Sequence, residues 1–222
     1  MYVLAKSVLA LMIGFIASVV LGLVFIPWLR KLKVGQKTSI FVKAHEKKSG
    51  TPTMGGIIII FIVSTIFTIL FLCFTNKLKI SSNLLIILFV FFGYGLIGFV
   101  DDFLKVKYKC NEKGLTRMQK FLAQVVIAIM FFYVYIRNGS NPEIEIYALN
   151  LKINLGFMYG FFILFMLVGT SNAVNLTDGL DGLAAGLSAI AIMVYGMIAW
   201  NSGWLAGYDD VAVFCFILVG GL

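Results

Sequence analysis

The densest chemistry in the chain lies in Asn172-Ala-Val-Asn-Leu-Thr-Asp-Gly-Leu-Asp-Gly-Leu183, where Asn172, Asn175, Asp178 and Asp181 recur at intervals of three. On a helix that interval keeps successive side chains within about 60° of each other. Amides and carboxylates would then share a face. Gly179 and Gly182 would permit a tight turn and close approach of the backbone to a ligand. Capping of the following helix by Thr177 or Asp178 accounts for one of these groups but not for four. A second acidic pair, Asp101-Asp102, ends an apolar run. Adjacent carboxylates suit a hard cation such as Mg²⁺, which typically bridges one or two of them to substrate phosphates. Alternatively, one carboxylate serves as a general base. A solvated helix end is the plain alternative for such a pair. Acids at a helix C-terminus oppose the macrodipole, and the following Lys105, Lys107 and Lys109 would offset that. A third segment, Lys48-Ser-Gly-Thr-Pro-Thr-Met-Gly-Gly56, offers a cation, hydroxyls and flexible amides just before an apolar run. Backbone amides at a helix entry favour phosphate. It is not a P-loop, because its lysine precedes the glycines.

Apolar spans must position these groups. The chain is 61% hydrophobic and only 13% charged, against roughly 25% charge in soluble domains. Apolar runs occupy 3–28, 54–74, 83–100, 121–136, 157–171 and 183–200, and a seventh begins at Val211. Twelve residues in a helix rise only about 18 Å, short of a hydrocarbon core of about 30 Å. The expected fold is therefore an all-α polytopic integral membrane protein, with six complete transmembrane helices plus a partial seventh. A cleaved signal peptide is disfavoured, because the first run is long and no small-residue cleavage site follows it.

Loops 29–53 and 101–120 are strongly basic, whereas 75–82, 137–156 and 201–210 are weakly charged or acidic. The positive-inside rule then places the N-terminus outside and all three polar motifs on the cytoplasmic face. The net charge of +8 thus reports topology or anionic lipid, not nucleic acid. Cys73, Cys110 and Cys215 are scattered, and His45 is the only histidine, so neither a disulfide framework nor a histidine-based metal site can be built from this sequence. Ionisable groups at helix ends rather than mid-span argue against a transporter or channel. Carboxylates for a metal, lysines for phosphates and a membrane wall suit phosphoryl-group chemistry between a lipid-borne and a soluble substrate.

Together the three segments resemble the polyprenyl-phosphate N-acetylhexosamine-1-phosphate transferases of the glycosyltransferase family 4 type. Within them, they look most like the phospho-N-acetylmuramoyl-pentapeptide transferase branch. The residues concerned are Gly50-Thr-Pro-Thr-Met-Gly-Gly56; Gly98-Phe-Val-Asp-Asp-Phe-Leu-Lys105 with Asn111 and Gly114-Leu115; and Asn172 through Ala184. The resemblance implies transfer of phospho-MurNAc-pentapeptide from its UDP carrier to undecaprenyl phosphate, giving lipid I and UMP with Mg²⁺ at the bacterial plasma membrane. It assigns Asp101, Asp102 and Asp178 to the catalytic centre, and Asn175, Asp178, Asp101 and Asp102 to the metal. It assigns Gly179, Leu180 and Asp181 to the uridine pocket, and Lys48, Thr53 and Lys105, with Asn175, to the nucleotide sugar and its diphosphate. A homodimer is left open. The family continues into a later Gly-Asp-x-Gly-Ser segment and a histidine cluster, which this sequence lacks. Residues 1–222 are therefore expected to form a single transmembrane transferase domain, incomplete at its C-terminus and without lipid I synthesis of its own. A related sugar-1-phosphate transferase, or a non-catalytic membrane fragment, is the alternative.

Overall fold

The computed structural model describes residues 2–31, 55–63, 81–108, 110, 113–202 and 208–222. Its helices are α1 (Tyr2–Lys31), a segment α2 (56–63), α3 (Ser82–Tyr108), α4 (Arg117–Arg137), α5 (Met158–Thr177), α6 (Leu183–Ser202) and α7 (Tyr208–Gly221). Five of them, α1, α3, α4, α5 and α6, are long and apolar enough to cross a membrane. Large apolar side chains such as Phe15, Leu23, Phe165 and Tyr195 stand exposed along these helices. In a bilayer that surface meets lipid, and the backbone polar groups are satisfied within each helix. The chain is a helical integral membrane protein. The expected second span begins as α2, and its remainder lies outside the described residues.

Neighbour contacts run from α7 to α6, α5, α4 and α3, and return from α3 to α7, while α1 packs along α7. The short α7 is the most deeply covered helix, with Ala212, Phe214, Cys215, Ile217 and Leu218 all buried. Those side chains join Ala10, Ile62, Val63, Leu84 and Ala199 in one apolar cluster. Glycines let α1 and α7 approach backbone to backbone. A Cβ on Gly14 would stand 2.8 Å from the Ile217 carbonyl oxygen, and one on Gly220 would strike the Leu11 carbonyl. Small residues at a helix crossing are the usual route to close packing in lipid. The Ser18 hydroxyl closes the contact by donating to the Gly221 carbonyl at 3.0 Å.

The segment between α4 and α5, legible in sequence only as a mixed loop, holds a two-stranded antiparallel hairpin, β1 (Glu143–Ile146) and β2 (Leu151–Asn154). Glu145 and Lys152 sit opposite each other and pair at 2.7 Å. Asn150 turns the chain with φ 51°, a left-handed conformation that asparagine tolerates better than most residues.

Candidate active site

The acidic pair does not end a helix. Helix α3 continues two turns past it to Tyr108. At 1.5 Å per residue, Asp101 lies about 28 Å along the axis from Ser82, close to one hydrocarbon thickness. The last two turns therefore project beyond the apolar span. The reason they stay helical is local. Lys105 stands four residues after Asp101 and three after Asp102, and its ammonium reaches both, at 2.7 Å and 3.0 Å. An acid followed by a base at that spacing stabilises a helix. The expected basic loop 101–120 is consequently helical over 101–108 and again from 117, with a bend at 113–116 among the described residues between them.

That bend folds back onto Asp101. The Leu115 amide donates to Asp101 Oδ1 at 2.8 Å. Gly114 is needed for this approach, because a Cβ there would lie 2.5 Å from Asp101 Oδ1 and 2.9 Å from Lys105 Cε. Thr116 then starts α4 with a capping box. Its hydroxyl accepts from the Gln119 amide, while the Gln119 side chain accepts from the Thr116 amide. One turn into α4, Lys120 donates to Asp101 Oδ2 at 2.6 Å. Asp101 is 6% exposed. Two ammonium groups and one amide converge on this buried carboxylate, which favours its charged form and holds it in place.

The amide and carboxylate motif divides between helix and turn. Asn172 and Asn175 lie on the last turns of α5, Asp178 is its C-cap, and Asp181 falls in the turn before α6. A shared helical face for all four groups is therefore not what forms. Gly182, at φ 78°, turns the chain into α6. Thr177 does not cap α6 either, since its hydroxyl donates back to the Val174 carbonyl at 2.7 Å. Asn175, Asp178, Gly179, Leu180 and Asp181 are all exposed. Asn172 is tied inward: its Nδ2 donates to Gln124 Oε1 on α4 at 2.9 Å and to the Val168 carbonyl at 2.8 Å.

Helix α4 is thus the bridge. Lys120 and Gln124, four residues apart and so on one face, hold Asp101 of α3 and Asn172 of α5 respectively. Sequence reasoning counted Lys120 only as loop charge and passed over Gln124. The signal was present as two polar residues at helical spacing at the start of an apolar run. Lys48 and Thr53 lie outside the described residues. Among the described residues, no three acidic, histidine or cysteine side chains gather as a ready cation cage. The oxygen donors of Asp102, Asn175 and Asp178 still fit Mg²⁺ by chemistry, since that ion takes few protein ligands and completes its shell with phosphate and water.

Residues 84–222 match the model of glycosyl transferase family 4. The chain belongs to that family. Within this glycosyl transferase family 4 chain, residues 48–60 also match phospho-N-acetylmuramoyl-pentapeptide-transferase signature 1. The chain is 49% identical over 217 residues to the phospho-N-acetylmuramoyl-pentapeptide-transferase of Geobacillus sp. (strain WCH70), covering 97% of this chain and 64% of that protein. It is 46% identical over 216 residues to the enzyme of that name from Bacillus subtilis (strain 168), covering 96% and 63%. The chain therefore spans a little under two thirds of the length of these curated relatives. Its apolar helices and bacterial relatives make it a protein of the bacterial plasma membrane.

Proposed function

We propose that this chain belongs to the machinery that transfers phospho-MurNAc-pentapeptide from UDP to undecaprenyl phosphate, forming lipid I and UMP. The observation that carries the reading is the buried Asp101, held by Lys105, Lys120 and the Leu115 amide where an apolar span ends. Such a place brings a membrane-borne phosphate and a soluble nucleotide to one set of charges. The match at residues 48–60 and the family of residues 84–222 support the same reading. We place the N-terminus outside and this face in the cytoplasm, following the basic residues around it.

An oxygen of undecaprenyl phosphate attacks the sugar-linked phosphorus. A new P–O bond forms, the bond to UMP breaks, and UMP leaves with the electron pair. Asp101, tied by three donors, fixes the end of α3 and the position of both lysines. Asp102 has a more exposed side chain than Asp101, at 29% against 8%, and faces the substrates, where it takes any proton remaining on the lipid phosphate. Lys105 and Lys120 present ammonium groups to the diphosphate. Asn175 and Asp178, with Asp102, would hold Mg²⁺, which supplies charge neutralisation on the phosphates. Gly179, Leu180 and Asp181 form the rim that receives uridine, and Lys48 and Thr53 join at the nucleotide.

The test is UMP release by the protein purified from membranes as its gene encodes it, with undecaprenyl phosphate and Mg²⁺. Release from UDP-MurNAc-pentapeptide, and little from UDP-GlcNAc, is expected. Preference for UDP-GlcNAc would move the chain to a sibling sugar-1-phosphate transferase. No release from either nucleotide sugar would remove the reading.

A further inference from the structure

We propose that Gln124 is a positioning residue of this site, fixing the Asn172 side chain with its amide nitrogen inward and its oxygen outward; the proposal rests on the functional reading above. Gln124 is 8% exposed on a membrane-spanning helix. A buried amide there is costly unless both of its ends are satisfied. Both are: Oε1 accepts from Asn172 Nδ2 at 2.9 Å, and Nε2 donates to Ser171 Oγ at 3.3 Å.

The orientation follows from one backbone atom. The Val168 carbonyl can only accept, so the Asn172 atom lying 2.8 Å from it must be the nitrogen. The second hydrogen of that NH₂ then requires an acceptor, and Gln124 Oε1 supplies it. Reversing the Gln124 amide would set NH₂ against NH₂. With both hydrogens of Asn172 used on the inner side, its Oδ1 is the acceptor left for the exposed side. Asn172 stands one turn before Asn175 on α5. A fixed oxygen acceptor there suits the donor groups of a nucleotide sugar. Gln124 touches no substrate and acts through Asn172. Lys120 lies one turn earlier on α4, so the same helix face sets the position of the α3 carboxylate and the orientation of the α5 amide.

A purely structural bond between helices would give the same picture, so the test separates the two. UMP release is measured for Gln124→Met, Gln124→Glu, Ser171→Ala, Asn172→Ala and the Gln124→Met/Asn172→Ala double variant. At metal sites, removing the outer partner of a ligand typically costs about tenfold or more in activity, and the same scale is expected here. Gln124→Met is expected to lower kcat by that factor. Ser171→Ala strands Gln124 Nε2 and should lower stability, but it leaves the Asn172 acceptor in place, so kcat should stay within about twofold. Glutamate keeps an acceptor for Asn172 and should restore most of kcat. In the Asn172→Ala background, Gln124→Met should add nothing, because the two act as one unit. Should Gln124→Met yield no folded protein, Gln124→Asn replaces it. Its amide is one methylene short, so a lost kcat supports the inference and an unchanged kcat overturns it. Equal effects of Gln124→Met and Ser171→Ala, or additive effects of Gln124→Met and Asn172→Ala, overturn the inference alone. A silent wild type overturns the functional reading and the inference with it.

Discussion

At the scale of single residues, the site depends on how many donors one carboxylate can collect. Asp101 takes Lys105, Lys120 and the Leu115 amide, and is nearly fully buried. Removing one partner leaves a buried charge less well satisfied, which costs more than the lost contact itself. Lys120→Ala is therefore expected to lower UMP release by about tenfold or more, with Lys120→Arg partly active because it can still donate to the carboxylate. Gly114→Ala reaches the same carboxylate from the other side. Its methyl would occupy the space of Asp101 Oδ1 and displace it from the Leu115 amide. It should reduce activity similarly, with both lysines intact. Full activity in both variants would show that the carboxylate cluster is not part of the working site. The sequence made Asp101 and Asp102 conspicuous because carboxylates beside an apolar run need a reason. It did not reveal Lys120 as a partner, since residues 19 apart are joined only by the fold-back at Gly114.

At the scale of elements, the boundaries are decided by short-range bonds rather than by hydropathy. The apolar run suggested a span from residue 121, yet α4 starts at Arg117 because Thr116 and Gln119 complete a capping box. That Thr-x-x-Gln spacing was readable in the sequence, and it is what brings Lys120 into the first turns of the helix. Loss of a threonine cap costs about 1 kcal/mol. Thr116→Ala should lower the unfolding temperature by roughly 2–4 °C, while Thr116→Ser should leave it near the wild-type value. A detergent-solubilised thermal shift reads this directly. An unchanged midpoint for the alanine variant would mean that packing of α4 against α3 and α5, not the cap, sets the helix start. The division of the Asn172–Asp181 motif was harder to read. Its spacing of three is compatible with a helix throughout, and only the left-handed backbone at Gly182 shows that the chain has turned by then.

At the scale of the molecule, hydropathy located the spans but could not rank them by burial. The last apolar run looked like the least secure element, being too short to cross a bilayer. Instead α7 is the helix around which α1 and α6 pack, because Gly14, Gly196 and Gly220 let its neighbours approach closely. What the pattern of charges does address is orientation. Lys113 sits at the bend between α3 and α4, beside the carboxylate cluster, and Asn150 sits at the tip of the hairpin between α4 and α5. A single spanning helix, α4, separates the two positions, so they must face opposite sides of the membrane. The orientation proposed above, which follows the lysines and arginines around residue 113, puts that bend in the cytoplasm. With the cysteines at 73, 110 and 215 replaced by serine, a thiol introduced by Asn150→Cys should react with an impermeant maleimide added to intact cells. A thiol introduced by Lys113→Cys should react only in inverted vesicles. The opposite pattern would place the carboxylates of Asp101 and Asp102 outside the cell, away from any cytoplasmic UDP-sugar. Labelling both from one side would mean that α4 does not cross the membrane at all.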